Sequence, residues 1–247
     1  MLDLLLAGVQ RVLADQFTGL YLHGSLASGD YNPQTSDIDF LVVTRNKLPL
    51  ELLPSLAAMH TCLTASGLKP AAKLEGSYIP LGALRRYDPS HIEHPALRVD
   101  GTFAVDGYGT DWIIQRHYLR QQGIVISGPP LQELIEPVHP VDLQRAVLGA
   151  LQEWWSPPFP NPNRFDSPEY RAYAVLTMCR ALYTLQFADV ISKPAAARWA
   201  QAVLGEPWAA LIKRARAWQP GAAFDSQEQT FAFICFILDR SQGFEIT

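Results

Sequence analysis

No stretch of the chain is both long and apolar enough for a bilayer: its apolar runs fall far short of the roughly 20 residues that a spanning helix requires. Asp3 stands where a signal peptide would carry its basic start, so the sequence reads as a cytosolic chain with no membrane partner. Dense Lys/Arg clusters are also missing, and the formal charge is −4. That argues against a nucleic-acid partner and leaves room for a cationic substrate. Cysteine is scarce. Cys62, Cys179 and Cys235 form an odd set without C-x-x-C spacing, each among apolar neighbours, so buried free thiols are expected rather than a disulfide framework. Internal repeats and low-complexity tracts are absent. What remains, 48% hydrophobic and 18% charged over 247 residues, buries a full core as one large or two modest domains in a monomer.

Along the chain, Leu2, Leu5, Leu6, Val9, Val12 and Leu13 draw one apolar stripe on a helix over 2–16. A short strand follows at Gly19 to His23, halted by Gly24-Ser25 and a loop rich in Gly, Asp, Asn and Pro. Ile38 to Val43 is nearly all apolar, as in a strand covered on both faces. Helical periodicity over 49–66 ends at Gly67-Leu68-Lys69-Pro70, and 73–79 alternates like a third strand with Glu75 inside it. Residues 85–109 read as loop with room for one short strand. Thr110 is the expected cap of a helix over 111–121, and Ile124 to Gly128 closes the region. Beyond about Pro130 strand signals stop. Helices are expected at 141–155, 168–187, 194–204, 207–218 and 227–238, with the Pro-rich tract Ser156 to Asn163 separating the first two. Ser167, and Asp225 with Glu228 three residues on, are cap-type starts. The fold class is therefore α+β, with a mixed-sheet domain over 1–130 and an all-α domain over 131–247.

The chemistry concentrates where Gly24-Ser25 is followed, after eleven residues, by Asp37-Ile38-Asp39 at the entrance to an apolar strand. Residues two apart on a strand face one side, so both carboxylates aim at one spot. Oxygen ligands in that arrangement suit Mg2+, which keeps waters and phosphate oxygens for its other positions. A triphosphate repels an attacking oxygen until a cation neutralises it. Gly24 lets backbone approach a phosphate, and the amides and hydroxyl around Ser25 donate to phosphate oxygens. Glu75, on the next strand, suits a general base or a completing ligand. A lone D-x-D or Gly-Ser is commonplace; the combination at a strand mouth is informative because charge buried there without a cation is costly. Of the six histidines, His91 and His94 flank Glu93, but no third ligand stands at a sensible spacing, so no metal is assigned to them.

The segment from Leu22-His23-Gly24-Ser25 through Gly29-Asp30, Pro33 and Ser36 to Val43 resembles the nucleotidyltransferase superfamily that includes DNA polymerase β. Trp155-Ser156-Pro157-Pro158, Leu176 to Arg180 and Ser192-Lys193-Pro194 through Ala200 narrow the resemblance to the aminoglycoside adenylyltransferases that modify streptomycin and spectinomycin. The resemblance implies that Asp37 and Asp39 hold Mg2+, Glu75 is the base, Ser25 and Ser36 contact the triphosphate of ATP, and Lys193 reaches the phosphates from the helical domain. The sequence departs from the family at the acceptor. Where members acting on streptomycin carry Phe-Gly-Glu-Trp, this chain reads Leu97-Arg98-Val99-Asp100-Gly101-Thr102-Phe103. Glu169, Tyr170 and Tyr173 stand where acceptor-contacting acids and amides are expected, and Trp112 is a candidate acceptor wall.

The leading expectation is adenylyl transfer to a hydroxyl of a cationic aminoglycoside or aminocyclitol, drawn in by acids such as Asp100, Asp106, Asp111 and Glu169. A second reading keeps the chemistry but makes a protein side chain or another metabolite the acceptor. A third, a nucleotide-binding module without turnover, leaves Asp37, Asp39 and Glu75 without a purpose.

Overall fold

In the computed structural model, every residue except Thr35, Pro158, Pro160 and 245–247 is described; the proline-rich expectation at Pro158 and Pro160 therefore lies outside the described residues. The chain divides into two compact units, Met1–Pro137 and Val138–Thr247.

The first unit is built on a mixed sheet. Its strands are β1 (Phe17–Leu22), β2 (Ile38–Thr44), β3 (Leu74–Pro80), β4 (Glu93–Leu97), β5 (Phe103–Gly107) and β6 (Ile124–Ser127), in the order β5-β4-β3-β2-β1-β6. Only β2 and β3 pair in parallel; the other neighbours are antiparallel. Its helices are α1 (Leu2–Leu13), α2 (Gly24–Ser28), α3 (Leu53–Ala65), α4 (Leu81–Arg85), α5 (Asp111–Gln122) and α6 (Leu131–Leu134).

Period-two alternation sorts the strand residues into two cores. Leu20, Leu22, Phe40, Val42 and Tyr78 pack with Leu5 and Val9 of α1 and Leu56 and Leu63 of α3. Tyr21, Leu41, Val43 and Ile79 pack on the other face with Leu119 of α5 and Leu131 and Leu134 of α6. This is why β2 carries an unbroken apolar run: both its faces are covered.

Between Arg85 and Gly109 the chain forms two strands, not one. β4 and β5 make a hairpin in which the Arg98 amide donates to Thr102 O at 2.9 Å, and Gly101 takes φ +84 in the turn. Pro95 hid β4 from the sequence reading. It is tolerated because β4 meets β3 only at Leu97 and Ala96, so Pro95 stands beyond that ladder.

Other corrections are local. Helix α1 stops at Leu13, where Ala14 takes φ 47, and a 3-10 turn completes the segment to Gln16. Thr110 is not a side-chain cap; it is itself helical at φ −64, ψ −20. Cys179 is buried as expected, but Cys62 and Cys235 are exposed. Both lie on helices whose buried stripe, Leu56, His60 and Leu63 on α3 and Phe233, Ile234 and Ile237 on α11 (Gln227–Ser241), faces elsewhere; apolar neighbours in sequence do not fix the direction of a helical side chain.

The second unit also contains α7 (Pro140–Trp155), α8 (Pro168–Phe187), α9 (Lys193–Leu204) and α10 (Trp208–Ala217). Val175, Met178, Cys179, Leu182 and Leu185 of α8 are buried, together with Ala196, Ala197 and Ala200 of α9 and Ile212 of α10. Ser167 caps α8 by accepting from the Tyr170 amide at 3.4 Å. At α11 the cap position is Ser226, not Asp225. Its side chain makes no cap bond there and instead accepts from Arg214 Nη2 at 3.0 Å. Arg171 is buried, its guanidinium donating to the carbonyls of Phe224, Phe165 and Asp166 at 2.9, 2.6 and 3.1 Å.

One buried polar pair gives the first unit a pH signature. His60 Nε2 lies 2.7 Å from the Tyr78 hydroxyl, between the rings of Phe40 and Phe103. Burial lowers the His60 pKa from 6.5 to about 4. The unfolded chain then binds a proton that the folded chain refuses between those values, so this group makes stability rise with pH from about 4 to 6.5. Denaturant titrations across that window are expected to show this slope, and to show it reduced in His60→Gln.

Candidate active site

The site begins where β1 leaves the sheet. The His23 amide donates to Asp39 O at 3.0 Å, holding the chain beside β2 for one residue more, and Gly24 then turns at φ +61 into α2. A Cβ on Gly24 would lie 1.9 Å from Asp39 Oδ2. Glycine is thus required twice over, by the left-handed backbone and by the carboxylate packed against it. The Ser25 carbonyl accepts from the Asp30 amide at 3.0 Å and from the Ser28 hydroxyl at 3.2 Å; the Ser25 hydroxyl itself makes no hydrogen bond among the described residues.

Asp39 is directly paired with Glu75 in the parallel β2/β3 register, so the two acids stand side by side on one face. Asp39 is half-buried and Glu75 exposed. Asp37, also half-buried, precedes β2 by one residue. Among the described residues no three His, Cys, Asp or Glu side chains close on a common point, either here or at His91 and His94. The aspartate pair with Glu75 alongside leaves open positions, which fits a cation that keeps water and phosphate oxygens in its shell.

Next along the same face of β3, Ser77 shares a short hydrogen bond with the Tyr108 hydroxyl. Burial pushes the Tyr108 pKa up to about 12, and the negative charges of Asp106, Glu75 and Asp111 add to the effect. Trp112, expected as an acceptor wall, is instead a core residue at 6% exposure, its ring centroid 5.1 Å from that of Tyr108. Half-buried Tyr108 is the ring of that pair nearer the surface.

Three supporting residues, Tyr118, Gln115 and Lys73, carry no sequence signal. The Tyr118 hydroxyl donates to Gly24 O at 2.8 Å, and Gln115 Nε2 donates to His23 Nδ1 at 2.9 Å, so α5 clamps the turn from positions more than 90 residues away. His23 is buried, and desolvation lowers its pKa against the opposing charge of Asp39. Lys73 donates to Pro33 O at 2.6 Å and to Ser36 O at 3.5 Å, fastening the loop to the entrance of β3. Ser36, expected at the triphosphate, has its hydroxyl engaged as an acceptor for the Asn32 amide at 3.0 Å.

The acids expected to attract a cationic acceptor are partly committed. Asp106 is paired with Arg98 across the hairpin, and Asp100 accepts from the Thr102 amide at 2.8 Å; Asp111 and Glu169 are exposed. In the second unit Lys193 is the first residue of α9, whose cap is Ser192. Its Nζ lies 4.0 Å over the Tyr173 ring, and Arg164 lies 4.3 Å over Tyr170. Trp155, Tyr170 and Tyr173 form a mutual stack. Cations of the chain itself therefore already lie over both tyrosine rings.

Both parts of the chain match known protein families. Residues 10–72 match a nucleotidyltransferase domain family, and residues 133–235 match the C-terminal domain of aminoglycoside adenylyltransferase. The chain is 26% identical over 218 residues to an aminoglycoside (3'') (9) adenylyltransferase from Klebsiella pneumoniae, covering 84% of this chain and 80% of that protein. It is 23% identical over 236 residues to a spectinomycin 9-adenylyltransferase from Staphylococcus aureus, covering 91% and 86%. Its fold matches that of a spectinomycin adenyltransferase from Enterococcus faecialis, solved with ATP and spectinomycin, at a TM-score of 0.75 and 17% identity over 98% of both chains. A mixed sheet followed by a helical unit is thus a fold shared with the last of these proteins, and the chain joins a nucleotidyltransferase domain to the C-terminal domain of aminoglycoside adenylyltransferase, as an enzyme of the nucleotidyltransferase class.

Proposed function

We propose that the enzyme moves AMP from ATP to a hydroxyl of an aminoglycoside or aminocyclitol, releasing pyrophosphate, with residues 1–130 serving as its nucleotidyltransferase domain and 131–247 as its helical domain. The observation that carries this reading is the Asp39 carboxylate packed on the Gly24 turn with Glu75 beside it in register. Asp37 and Asp39 would hold Mg2+, which when bound neutralises the triphosphate and orients it. Gly24 brings backbone close to the phosphates, and the Ser25 hydroxyl donates to a phosphate oxygen. Ser36 orders the loop between them. Lys193 is the proposed source of positive charge for the phosphates. Glu75 takes the proton from the acceptor hydroxyl as its oxygen bonds to the α-phosphorus and the bond to the pyrophosphate oxygen breaks. Glu169, Tyr170 and Tyr173 are the proposed acceptor contacts of the second unit, and in the first unit Trp112 supports Tyr108 from behind.

Purified protein supplied with ATP and Mg2+ is expected to release pyrophosphate with streptomycin, spectinomycin or a related antibiotic. Silence across a full panel, with labelled AMP appearing instead on a protein or another metabolite, would move the acceptor to that class. Glu75→Gln is expected to slow transfer by about 10^2- to 10^4-fold while sparing ATP affinity, the usual effect of removing a positioned base. Calorimetry of ATP binding alongside single-turnover rates checks both halves.

A further inference from the structure

A cavity of about 550 Å3 opens in the first unit, lined in part by Arg45, Lys47, Pro80, Ala83, Glu93 and His94. It stands at the far ends of β2 and β3 from the acids. Arg45 follows Thr44, the last residue of β2, and Asp39 to Thr44 spans about 16 Å of extended chain at ~3.3 Å per residue. None of the proposed nucleotide or metal residues lines it.

Its polar groups are unequally engaged. Asp88 is committed, accepting from the Ser90 amide at 2.9 Å and the Ser90 hydroxyl at 2.6 Å and lying 2.8 Å from His91 Nδ1. The side chains of Arg45, Lys47 and Glu93 make no hydrogen bond or ion pair among the described residues. His94, which lines the cavity, is only 3% exposed, and its Nδ1 is sealed from solvent. Burial, opposed by a hydrogen bond with the His91 backbone and reinforced by the charge of Lys47, lowers its pKa to about 4, so a neutral ring lines the cavity at pH 7.

We infer that this cavity binds a small phosphorylated, hydroxylated molecule, its phosphate between Arg45 and Lys47 and a hydroxyl on the Glu93 carboxylate. Two uncommitted cations suit a dianionic group. The volume exceeds what a bare anion needs, and Pro80, Ala83 and Ile92 offer an apolar wall to the organic body. Glu93 would repel a bare anion but accepts from a sugar hydroxyl.

The probes are ribose 5-phosphate, ribose and inorganic phosphate, followed by calorimetry and by the His94 ring signals in NMR. Ribose 5-phosphate should bind saturably, shift the His94 ring, compete with inorganic phosphate, and bind at least about tenfold more tightly than ribose. The Arg45→Ala/Lys47→Ala double variant changes only exposed side chains and is expected to lose about tenfold or more in that affinity while keeping its pyrophosphate-releasing activity. Asp39→Asn should bind ribose 5-phosphate unchanged, which separates this cavity from the nucleotide site. An unresponsive His94 ring, equal affinity for ribose, or undiminished binding in the double variant would each overturn the inference.

Discussion

Asp39→Asn is expected to abolish Mg2+-dependent transfer, lowering the rate by on the order of 10^3-fold or more, since a cation bound at the reacting phosphate contributes several kcal/mol. The fold should survive. The amide is nearly isosteric with the carboxylate, the backbone bond from the His23 amide to Asp39 O is untouched, and removing one negative charge beside Glu75 relieves repulsion. Calorimetric titration of Mg2+ with ATP, paired with a melting curve, separates the two effects. Full turnover in this variant would remove the metal assignment and, with it, the reason for placing two aspartates at this strand mouth.

Gly24→Ala is expected to be the most damaging of the small substitutions. Its left-handed φ of +61 costs a residue with a Cβ about 1–2 kcal/mol. The larger problem is that the new methyl carbon would occupy space 1.9 Å from Asp39 Oδ2 and 2.7 Å from Asp39 Cγ. Turn and carboxylate must therefore move apart, displacing Asp39 from the geometry it shares with Glu75. Gly29 supplies the control: its φ is +74, but a Cβ there meets nothing within 4 Å. Gly29→Ala should lose a comparable increment of stability to backbone strain while retaining transfer, whereas Gly24→Ala should lose both. Equal activities in the two variants would show that the Gly24–Asp39 contact is incidental.

Legibility in the sequence tracked the range of the interaction. The Gly24-Ser25 turn and the Asp37-Ile38-Asp39 strand entrance are encoded within a few residues, so periodicity and turn chemistry disclosed them. The helices of the second unit were equally plain, because their amphipathic stripes and proline or serine starts are local. The β4–β5 hairpin was half missed, since Pro95 argues against a strand until the position of that strand in the sheet is known. Tyr118, Gln115 and Lys73 could not have been found, because what makes them matter is a carbonyl or ring nitrogen far away in the chain. Trp112 and Asp106 show the converse: their residue types suit a ligand, yet one is packed into a core and the other is paired with Arg98.

The sequence by itself determined the two-part α+β architecture, the acids at the mouth of β2 and the glycine turn preceding them, all properties of neighbouring residues and their backbone preferences. Only the tertiary structure decided that Glu75 stands in register with Asp39, that Gly24 must lack a Cβ because a carboxylate lies against it, and which aromatic and acidic side chains are already committed to partners within the fold. The physical reason is that strand register and side-chain pairing are fixed by packing between segments distant in the chain, and a residue's type does not reveal what it will meet there.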